Sequence, residues 1–167
     1  MELYYSVFNT AAGWIAVLAS AEGLLEISLP QISKENALNS LHIAQYDGFF
    51  SPSPKRFADL AKRFEDYFNG KKISFPDRLD ITSATPFQRD VWQATRLIAY
   101  GETKSYGWVA DKINKPGAAR AVGQALGKNP LPIIIPCHRV IGSDNKPVGF
   151  SGGLEVKRQL LNLEGIV

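Results

Sequence analysis

A thiol and an imidazole stand side by side in the segment IIIPCHRVIG, residues 133–142. Cys137 is the only cysteine of the chain, and His138 is one of its two histidines. A lone cysteine in a soluble protein is commonly a buried apolar residue. A cysteine beside an imidazole and a cation can instead be a nucleophile, because both neighbours stabilise the thiolate. The segment alone leaves both interpretations open.

The residues around the thiol must bring it together with a base. Three prolines interrupt the chain here: Pro130, Pro132 and Pro136. The isoleucines between them are predicted to form a short buried strand with Cys137 at its end. Since neighbours in an extended chain point to opposite sides, His138 reaches the thiol only through a turn after Pro136 or through a bridging water.

Arg139 is a second candidate for stabilising the thiolate. Glu164, near the end of a helix after a glycine-rich loop, can orient an imidazole.

Composition and charge narrow the class of protein. One cysteine allows no internal disulfide and no thiolate zinc cluster, which predicts a reducing compartment, cytosolic or nuclear. The start MELYYSVFNTAAGW lacks a signal-peptide pattern, and no window reaches about 18 apolar residues, so no membrane span is expected. Residues 1–83 carry 8 Lys and Arg against 10 Asp and Glu, whereas residues 84–167 carry 11 against 6. The basic second half is predicted to meet a polyanion.

The N-terminal part, residues 1–82, is predicted to be a small α+β domain. LYYSVF, WIAVLAS and LLEISL are typical of strands in an antiparallel meander. QISKENALNSLHIA is helical or a loop, and SPSP at residues 51–54 breaks the chain. The following helix has one apolar face, formed by Phe57, Leu60, Ala61, Phe64 and Phe68. His42 is interpreted as structural or exposed. Residues 75–86 are predicted to be a linker that contains the domain boundary near residue 82.

The C-terminal part, residues 83–167, is predicted to be helical. Thr85 and Pro86 form a helix start, and the helix buries a set of apolar side chains, Phe87, Val91, Trp92 and Leu97 or Ile98. Two short helices follow, about Ser105–Ile113 and Ala118–Leu126, joined by the turn NKPG. This pattern indicates a helix-turn-helix, although a plain helical hairpin would look similar.

The second of these helices is poor in side chains that read bases. Ala119, Gly123 and neighbouring alanines offer no hydrogen-bonding groups, so the helix can press closely against a nucleic-acid backbone. Only Arg120 and Gln124 have side chains long enough to contact the bases. Sequence-independent binding with one inserted arginine fits this composition better than operator recognition. Arg120 could equally belong to a surface ion pair.

The C-terminal half closely resembles the O6-alkylguanine-DNA alkyltransferases. The resemblance rests on IPCHRVIG, on YGETKSYG upstream, and on SGG and LLNLEG downstream, with consistent spacing from about Thr85 to Gly165. It implies an α+β fold: a small antiparallel-sheet N-terminal domain beside a helical, winged-helix-like DNA-binding domain. It also implies direct reversal of DNA alkylation damage. The damaged base is flipped out of the stack, and its O6-alkyl group passes irreversibly to the protein's own cysteine.

The resemblance further implies roles for individual residues. Cys137 would be the alkyl acceptor, His138 its base through water, Glu164 the residue that holds the imidazole, and Tyr106 a proton donor to the guanine ring. Arg120 would fill the gap left by the flipped nucleotide, on the helix with Ala119, Gly123 and Gln124. The pocket and its support would comprise the carbonyls of Cys137 and Val140, the amide of Ser151, and Asn129, Arg139, Phe150, Gly152 and Lys157. No cofactor and no metal are expected in this chain, and the expected partner is double-stranded DNA carrying O6-alkylguanine, with O4-alkylthymine as a second lesion. A monomer in the cytoplasm, or in the nucleus of a eukaryote, is expected.

Two positions depart from the family pattern, and three alternatives remain. Phe150 stands where the family often has Tyr, and Trp108 where a polar or smaller residue is expected. Alkyltransferase-like binding proteins keep the scaffold without the cysteine, which is present here. A cysteine hydrolase would use Cys137 and His138 with turnover. A regulatory helix-turn-helix protein is disfavoured by the alanine-rich second helix.

Overall fold

The structure, a computed structural model, describes residues 1–142, 150 and 152–166. The chain divides into two compact units, residues 1–82 and residues 83–167. Within the described residues no helix combines the length and hydropathy needed to cross a bilayer. The helices and strands are β1 Glu2–Thr10, β2 Gly13–Ser20, β3 Gly23–Ile27, α1 Lys34–Asn39, β4 Phe49–Pro52, α2 Ala58–Phe68, α3 Pro86–Thr95, β5 Lys104–Ser105, α4 Tyr106–Lys112, α5 Ala119–Gly127, β6 Val140–Ile141 and α6 Leu154–Leu163.

The N-terminal unit is a four-stranded sheet with a helix on each face. The strand order is β3-β2-β1-β4, and the first three strands form the predicted antiparallel meander. Side chains alternate across β1, so Leu3 packs with α1 on one face while Phe8 meets Phe64 of α2 on the other, with ring centroids 5.9 Å apart. Tyr67, missing from the predicted apolar face of α2, is also fully buried.

Two N-terminal segments differ from the sequence-based prediction. Residues 49–52 do not simply break the chain: they form β4, which pairs parallel to β1. Part of the predicted linker lies along the free edge of β3, where the Leu24 N–H donates to the Arg78 carbonyl at 2.9 Å and the Asp80 N–H donates to the Leu24 carbonyl at 2.8 Å. Both corrections have one cause. An unpaired sheet edge gains backbone hydrogen bonds from segments that lack any strand-like pattern of their own.

The C-terminal unit is a helical unit with a minimal sheet. The predicted start of α3 is a full capping box, since Thr85 caps the Gln88 N–H while the Gln88 side chain caps the Thr85 N–H. α3 packs against α5, and the Trp92 indole N–H donates to the Ala125 carbonyl at 2.9 Å. α4 and α5 are the predicted helical pair. Together the two units confirm the α+β fold class.

The predicted isoleucine strand is wrong. Residues 131–135 form a buried turn, in which the Ile135 N–H donates to the Leu131 carbonyl at 2.8 Å. Ile133 has a φ of 74°, which is a costly left-handed conformation for a β-branched residue. The prolines at 130, 132 and 136 supply no N–H donors, which disfavours a continuous strand, and the isoleucines are buried in a turn instead.

Candidate active site

The chain after Ile135 turns, and this turn carries the thiol. Cys137, His138 and Arg139 form one turn of 3₁₀-helix, and all three side chains are buried. A 3₁₀-helix has about three residues per turn, so neighbouring side chains are not forced to opposite sides as they are in a strand. The turn required after Pro136 for a functional Cys–His pair is therefore present.

The side chain of Asn129, in the loop before this turn, stabilises the turn through hydrogen bonds. Its Nδ2 donates to the Ile135 carbonyl at 2.9 Å and to Cys137 Sγ at 3.1 Å, and its Oδ1 accepts from the Leu131 N–H at 2.8 Å. Burial raises the pKa of the Cys137 thiol, and the hydrogen bond from Asn129 opposes this rise by stabilising the thiolate. Asn129 thus both shapes the turn and adjusts the acidity of the thiol.

The imidazole of His138 is held by a buried carboxylate. Its Nε2 lies 2.6 Å from Glu164 Oε2, at the C-terminal end of α6. Arg139 forms a bidentate pair with the same carboxylate at 2.8 and 3.1 Å, and its third nitrogen donates to the Ile98 carbonyl at 2.8 Å. The Gly101 N–H also donates to Glu164 at 3.2 Å. Arg139, suggested above as a thiolate partner, is instead committed to the carboxylate.

The protonation states in this network follow from burial and charge. Burial alone would raise the pKa of Glu164, but the hydrogen bonds and charges of His138 and Arg139 outweigh it and hold the pKa at about 2. Burial, together with the charges of Arg139 and Lys157, lowers the pKa of His138 below its ordinary value although the Glu164 carboxylate opposes this fall. The imidazole is therefore neutral at neutral pH. Since a carboxylate only accepts, Nε2 carries the proton and Nδ1 carries the lone pair.

The basic nitrogen of His138 has an unusual environment. Nδ1 is buried and has no hydrogen-bond partner among the described residues. A buried polar atom left without a partner is rare in folded proteins and calls for a specific reason. Here the atom is the unprotonated nitrogen of a neutral imidazole, on the residue that follows the thiol in the sequence.

Tyr106 is positioned by the pairing of β5 with β6. The register places Lys104 opposite Val140, and Tyr106 begins the helix that follows β5. Burial raises the pKa of the half-buried Tyr106, and the nearby Cys137 charge raises it further. The hydroxyl is consequently protonated at neutral pH and can act as a donor.

Lys157 of α6 is a buried cation beside the same turn. Its Nζ donates to the Val140 carbonyl at 2.6 Å and lies 5.8 Å from the centroid of the Tyr106 ring. Burial lowers the pKa of Lys157 to about 8, while the charge of Cys137 opposes this fall. The positive charge of Lys157 in turn stabilises the thiolate.

The residues predicted to contact DNA lie on α5. Arg120 and Gln124 are exposed, and Ala119 and Gly123 are partly exposed. A Cβ at Gly123 would meet only the Tyr106 ring, at an ordinary contact distance of 3.7 Å. The protein's own packing therefore does not require glycine, although glycine costs helix stability relative to alanine.

The predicted pocket residues near α6 are only partly placed by the structure. Phe150 is half-buried, and its carbonyl accepts from the Gly153 N–H at 2.9 Å. Gly152 lies in the turn before α6. Ser151 lies outside the described residues.

Sequence reasoning missed Ile98 and Gly101, which contribute backbone atoms to the Glu164 network, because a backbone contact leaves no side-chain pattern in the sequence. The described residues contain no group of three or more His, Cys, Asp or Glu that could hold a metal ion.

Replacing Asn129 by Asp tests its effect on the thiol, although the same change also removes the donor to the Ile135 carbonyl. Asp keeps an acceptor for the Leu131 N–H but replaces the donor facing Cys137 Sγ with a carboxylate oxygen. We expect the thiol pKa to rise and thiolate formation at pH 7 to fall by roughly ten-fold or more, because a hydrogen bond to a charged group is lost. The measurement is the pH dependence of iodoacetamide alkylation. Asn162→Asp, on the exposed surface of α6, is the control and should leave the profile unchanged.

The fold and the site together define a two-unit protein in which a buried thiol lies beside a carboxylate-oriented imidazole, next to a helical pair. Family models match both units. Residues 3–81 match the 6-O-methylguanine DNA methyltransferase, ribonuclease-like domain. Residues 86–166 match the 6-O-methylguanine DNA methyltransferase, DNA binding domain.

Named relatives and solved structures agree with these matches. The methylated-DNA--protein-cysteine methyltransferase of Haemophilus influenzae is 40% identical, over 98% of this chain and 87% of its own length. Its namesake from Methanosarcina barkeri is 40% identical over 97% of each chain. The crystal structure of Mycobacterium tuberculosis OGT in complex with DNA covers 96% of this chain and 92% of its own, with a TM-score of 0.78 and 40% identity. The chain belongs to the 6-O-methylguanine DNA methyltransferase family, which confirms the resemblance inferred from the sequence.

Proposed function

We propose that the protein reverses DNA alkylation damage by moving the alkyl group of O6-alkylguanine, and of O4-alkylthymine, to Cys137. One observation carries the proposal. His138 is neutral, is oriented by Glu164, and keeps the lone pair of Nδ1 free of any partner among the described residues, one residue from the thiol. This arrangement creates a base for a thiol whose own burial disfavours the thiolate.

The transfer step balances without a cofactor. The proton of the Cys137 thiol passes through a water molecule to His138 Nδ1. The thiolate then attacks the alkyl carbon, so that an S–C bond forms as the bond between O6 and that carbon breaks. The electron pair of the broken bond returns to the guanine, and Tyr106 donates its hydroxyl proton to the ring as negative charge builds there. The thioether is not cleaved again, so each chain acts once.

Hydrogen bonds of the turn support the pocket roles proposed for two carbonyls. The Cys137 and Val140 carbonyls accept from the Val140 N–H and from Lys157 respectively, and each oxygen keeps a second lone pair for the exocyclic amine of guanine. Phe150 stacks on the alkyl group. The Ser151 amide is proposed to bond O6, by family resemblance alone.

Duplex DNA is the proposed partner, and α5 is the proposed contact. A helix surface made of Ala119, Gly123 and neighbouring alanines lets a nucleic-acid backbone approach closely, which explains a glycine that internal packing does not need. Arg120 is exposed and has no hydrogen-bond or ion-pair partner in the part of the chain that the structure describes. It is therefore available to fill the space of a flipped nucleotide.

The two units have different proposed tasks. Residues 83–167 bind DNA and transfer the alkyl group, and residues 1–82 support them. We propose that the protein acts as a monomer in the cytoplasm, or in the nucleus if the source is eukaryotic, because its substrate is genomic duplex. The family relative solved in complex with DNA supports the DNA-binding task proposed for residues 83–167.

Intact-protein mass spectrometry tests the proposal. The protein is mixed with increasing amounts of duplex carrying one O6-methylguanine, beside a Cys137→Ser control. We expect a gain of one methyl group per chain that saturates at one equivalent and is absent from the control. Binding to the lesion without any gain would favour the binding-only alternative. Continued turnover without a mass gain would favour a hydrolase.

A further inference from the structure

Trp108 has no role in the proposed transfer, and core packing does not explain it. α4 buries Val109 and Ala110, whereas Trp108 is only partly buried. Trp108 and Lys112 are four residues apart, so they lie on the same face of α4, and Lys112 is exposed. A large aromatic ring thus stands at the solvent boundary of the first helix of the helical pair.

Two lysines are held against this ring. Lys104 Nζ lies 5.5 Å from the ring centroid, and Lys112 Nζ lies 5.4 Å from it. Both distances are within the range of a cation–π interaction. Neither ammonium group has an ion-pair partner in the part of the chain that the structure describes. By contrast, Lys62 and Lys71 in the N-terminal unit both pair with Asp66.

The Trp108 ring restricts the two lysine side chains before a ligand binds. A free lysine loses much side-chain entropy when it is fixed at an interface, and this loss weakens binding. Attraction to the Trp108 ring limits the freedom of Lys104 and Lys112 before any ligand arrives. Because their charges are not neutralised by carboxylates, both remain available to an anion. In a helix-turn-helix the first helix crosses the DNA backbone, where anionic phosphates are closely spaced.

We propose that Lys104, Trp108 and Lys112, here called the lysine–tryptophan clamp, bind backbone phosphates of the duplex in a sequence-independent manner. This inference rests on the proposed function, because DNA is the partner. The lysines supply the charge, and Trp108 is a positioning residue that acts through them. The clamp adds affinity at β5 and α4, separate from the insertion of Arg120 from α5.

The salt dependence of binding to an undamaged duplex tests the lysines. Fluorescence anisotropy is recorded between about 50 and about 200 mM potassium chloride, a range over which phosphate contacts change the affinity strongly. We expect Lys104→Gln/Lys112→Gln to reduce the slope of log K against log salt by about 1.8, since each phosphate contact contributes about 0.9. The control, Lys34→Gln/Lys55→Gln, removes two positive charges from the N-terminal unit, including a lysine that lies 5.0 Å from the Trp14 ring centroid. It should leave the slope unchanged.

Trp108 is tested by its coupling to the lysines. Trp108→Leu should weaken binding by roughly five-fold, whereas Trp108→Phe, which keeps an aromatic face, should bind nearly as well as the wild type. In the Lys104→Gln/Lys112→Gln background, Trp108→Leu should have no further effect. An equal loss in both backgrounds would overturn the positioning role, provided that circular dichroism shows every variant folded.

The failure of the clamp can be distinguished from the failure of the proposed function. An unchanged salt slope in the lysine variant overturns the clamp, while methyl transfer by the wild-type protein would leave the proposed function intact. If the wild type neither binds duplex nor gains a methyl group, both inferences are wrong. A slope reduced as much in the control as in the clamp variant would also overturn the clamp, because the effect would then come from net charge.

Discussion

Replacement of His138 by Gln slows methyl transfer from an O6-methylguanine duplex by about 10²- to 10⁴-fold at pH 7, the range associated with loss of a general base. The reason lies in the burial of the acceptor. Burial raises the pKa of the Cys137 thiol, so at neutral pH the thiolate does not form efficiently without a base. Rapid-quench measurement of the first-order transfer rate at saturating DNA gives the effect directly.

The pH profile distinguishes loss of a base from loss of structure. In the wild type, the pKa of His138 lies below its ordinary value, so the rate is maintained at neutral pH and falls only as the pH drops through that lowered pKa. In His138→Gln the rate should instead increase with pH from about 6 to about 9, because hydroxide removes a proton from a thiol with an ordinary pKa of about 8.5, raised here by burial.

The other histidine provides a matched control. His42 is exposed in the N-terminal unit, and its Nδ1 lies 2.6 Å from Glu26. His42→Gln should transfer methyl groups at the wild-type rate. A His138→Gln protein that is folded and reacts within ten-fold of the wild type would show that the thiol is deprotonated by another group.

Replacement of Glu164 by Gln lowers the free energy of unfolding of the C-terminal unit by about 3–5 kcal/mol, as expected when one partner of a buried ion pair is removed. The carboxylate accepts hydrogen bonds from Arg139 and His138, and its side chain is fully buried. The variant leaves the Arg139 guanidinium in the interior without a countercharge. Urea denaturation followed by fluorescence, in a Trp14→Phe background so that Trp92 and Trp108 report, measures the loss.

Acid should reduce the difference in the free energy of unfolding between the wild type and Glu164→Gln. The pKa of Glu164 is about 2 in the folded protein against an ordinary 4.5, so the folded state favours the ionised form. The stabilisation is complete above the unfolded pKa and is lost as the pH falls from about 4.5 towards about 2. The wild type should therefore lose stability more steeply than Glu164→Gln over this interval.

Two further variants check the cause of the Glu164 effect. Glu155→Gln is the same substitution at an exposed position of α6, and it should change the free energy of unfolding by less than about 0.5 kcal/mol. Adding Arg139→Met to Glu164→Gln should recover part of the lost stability, because it removes the unpaired charge. If the double variant is no more stable than the single one, the unpaired guanidinium is not the source of the loss.

Local sequence signals were sufficient for the helices of the C-terminal unit. Thr85 and Pro86 mark the start of α3 because capping depends on residues close in sequence. The turn between α4 and α5 is likewise encoded locally, with Gly117 at a φ of 86°. The pairing of β4 with β1 and of residues 78–80 with β3 could not be predicted, because each depends on a distant edge that lacks a partner.

The site was predictable in its residue types but not in its hydrogen bonds. Cys137, His138 and Glu164 stand out as a thiol, a base and an orienting acid. The sequence makes Arg139 a second candidate for stabilising the thiolate, whereas the structure pairs it with Glu164 and with the Ile98 carbonyl, and a backbone carbonyl is a group that every residue possesses. The turn at Ile133 was missed because its left-handed backbone contradicts the strand preference of isoleucine.

The burial of Cys137 has a consequence for a protein that reacts only once. The thiol is 5% exposed, and burial raises its pKa, so it resists stray electrophiles and oxidants, which react with accessible thiolates. A chain alkylated or oxidised by chance would be lost to repair. In the proposed transfer, a protonated and shielded thiol stays unreacted until a flipped base reaches it. The burial that slows thiolate formation therefore also preserves the active protein.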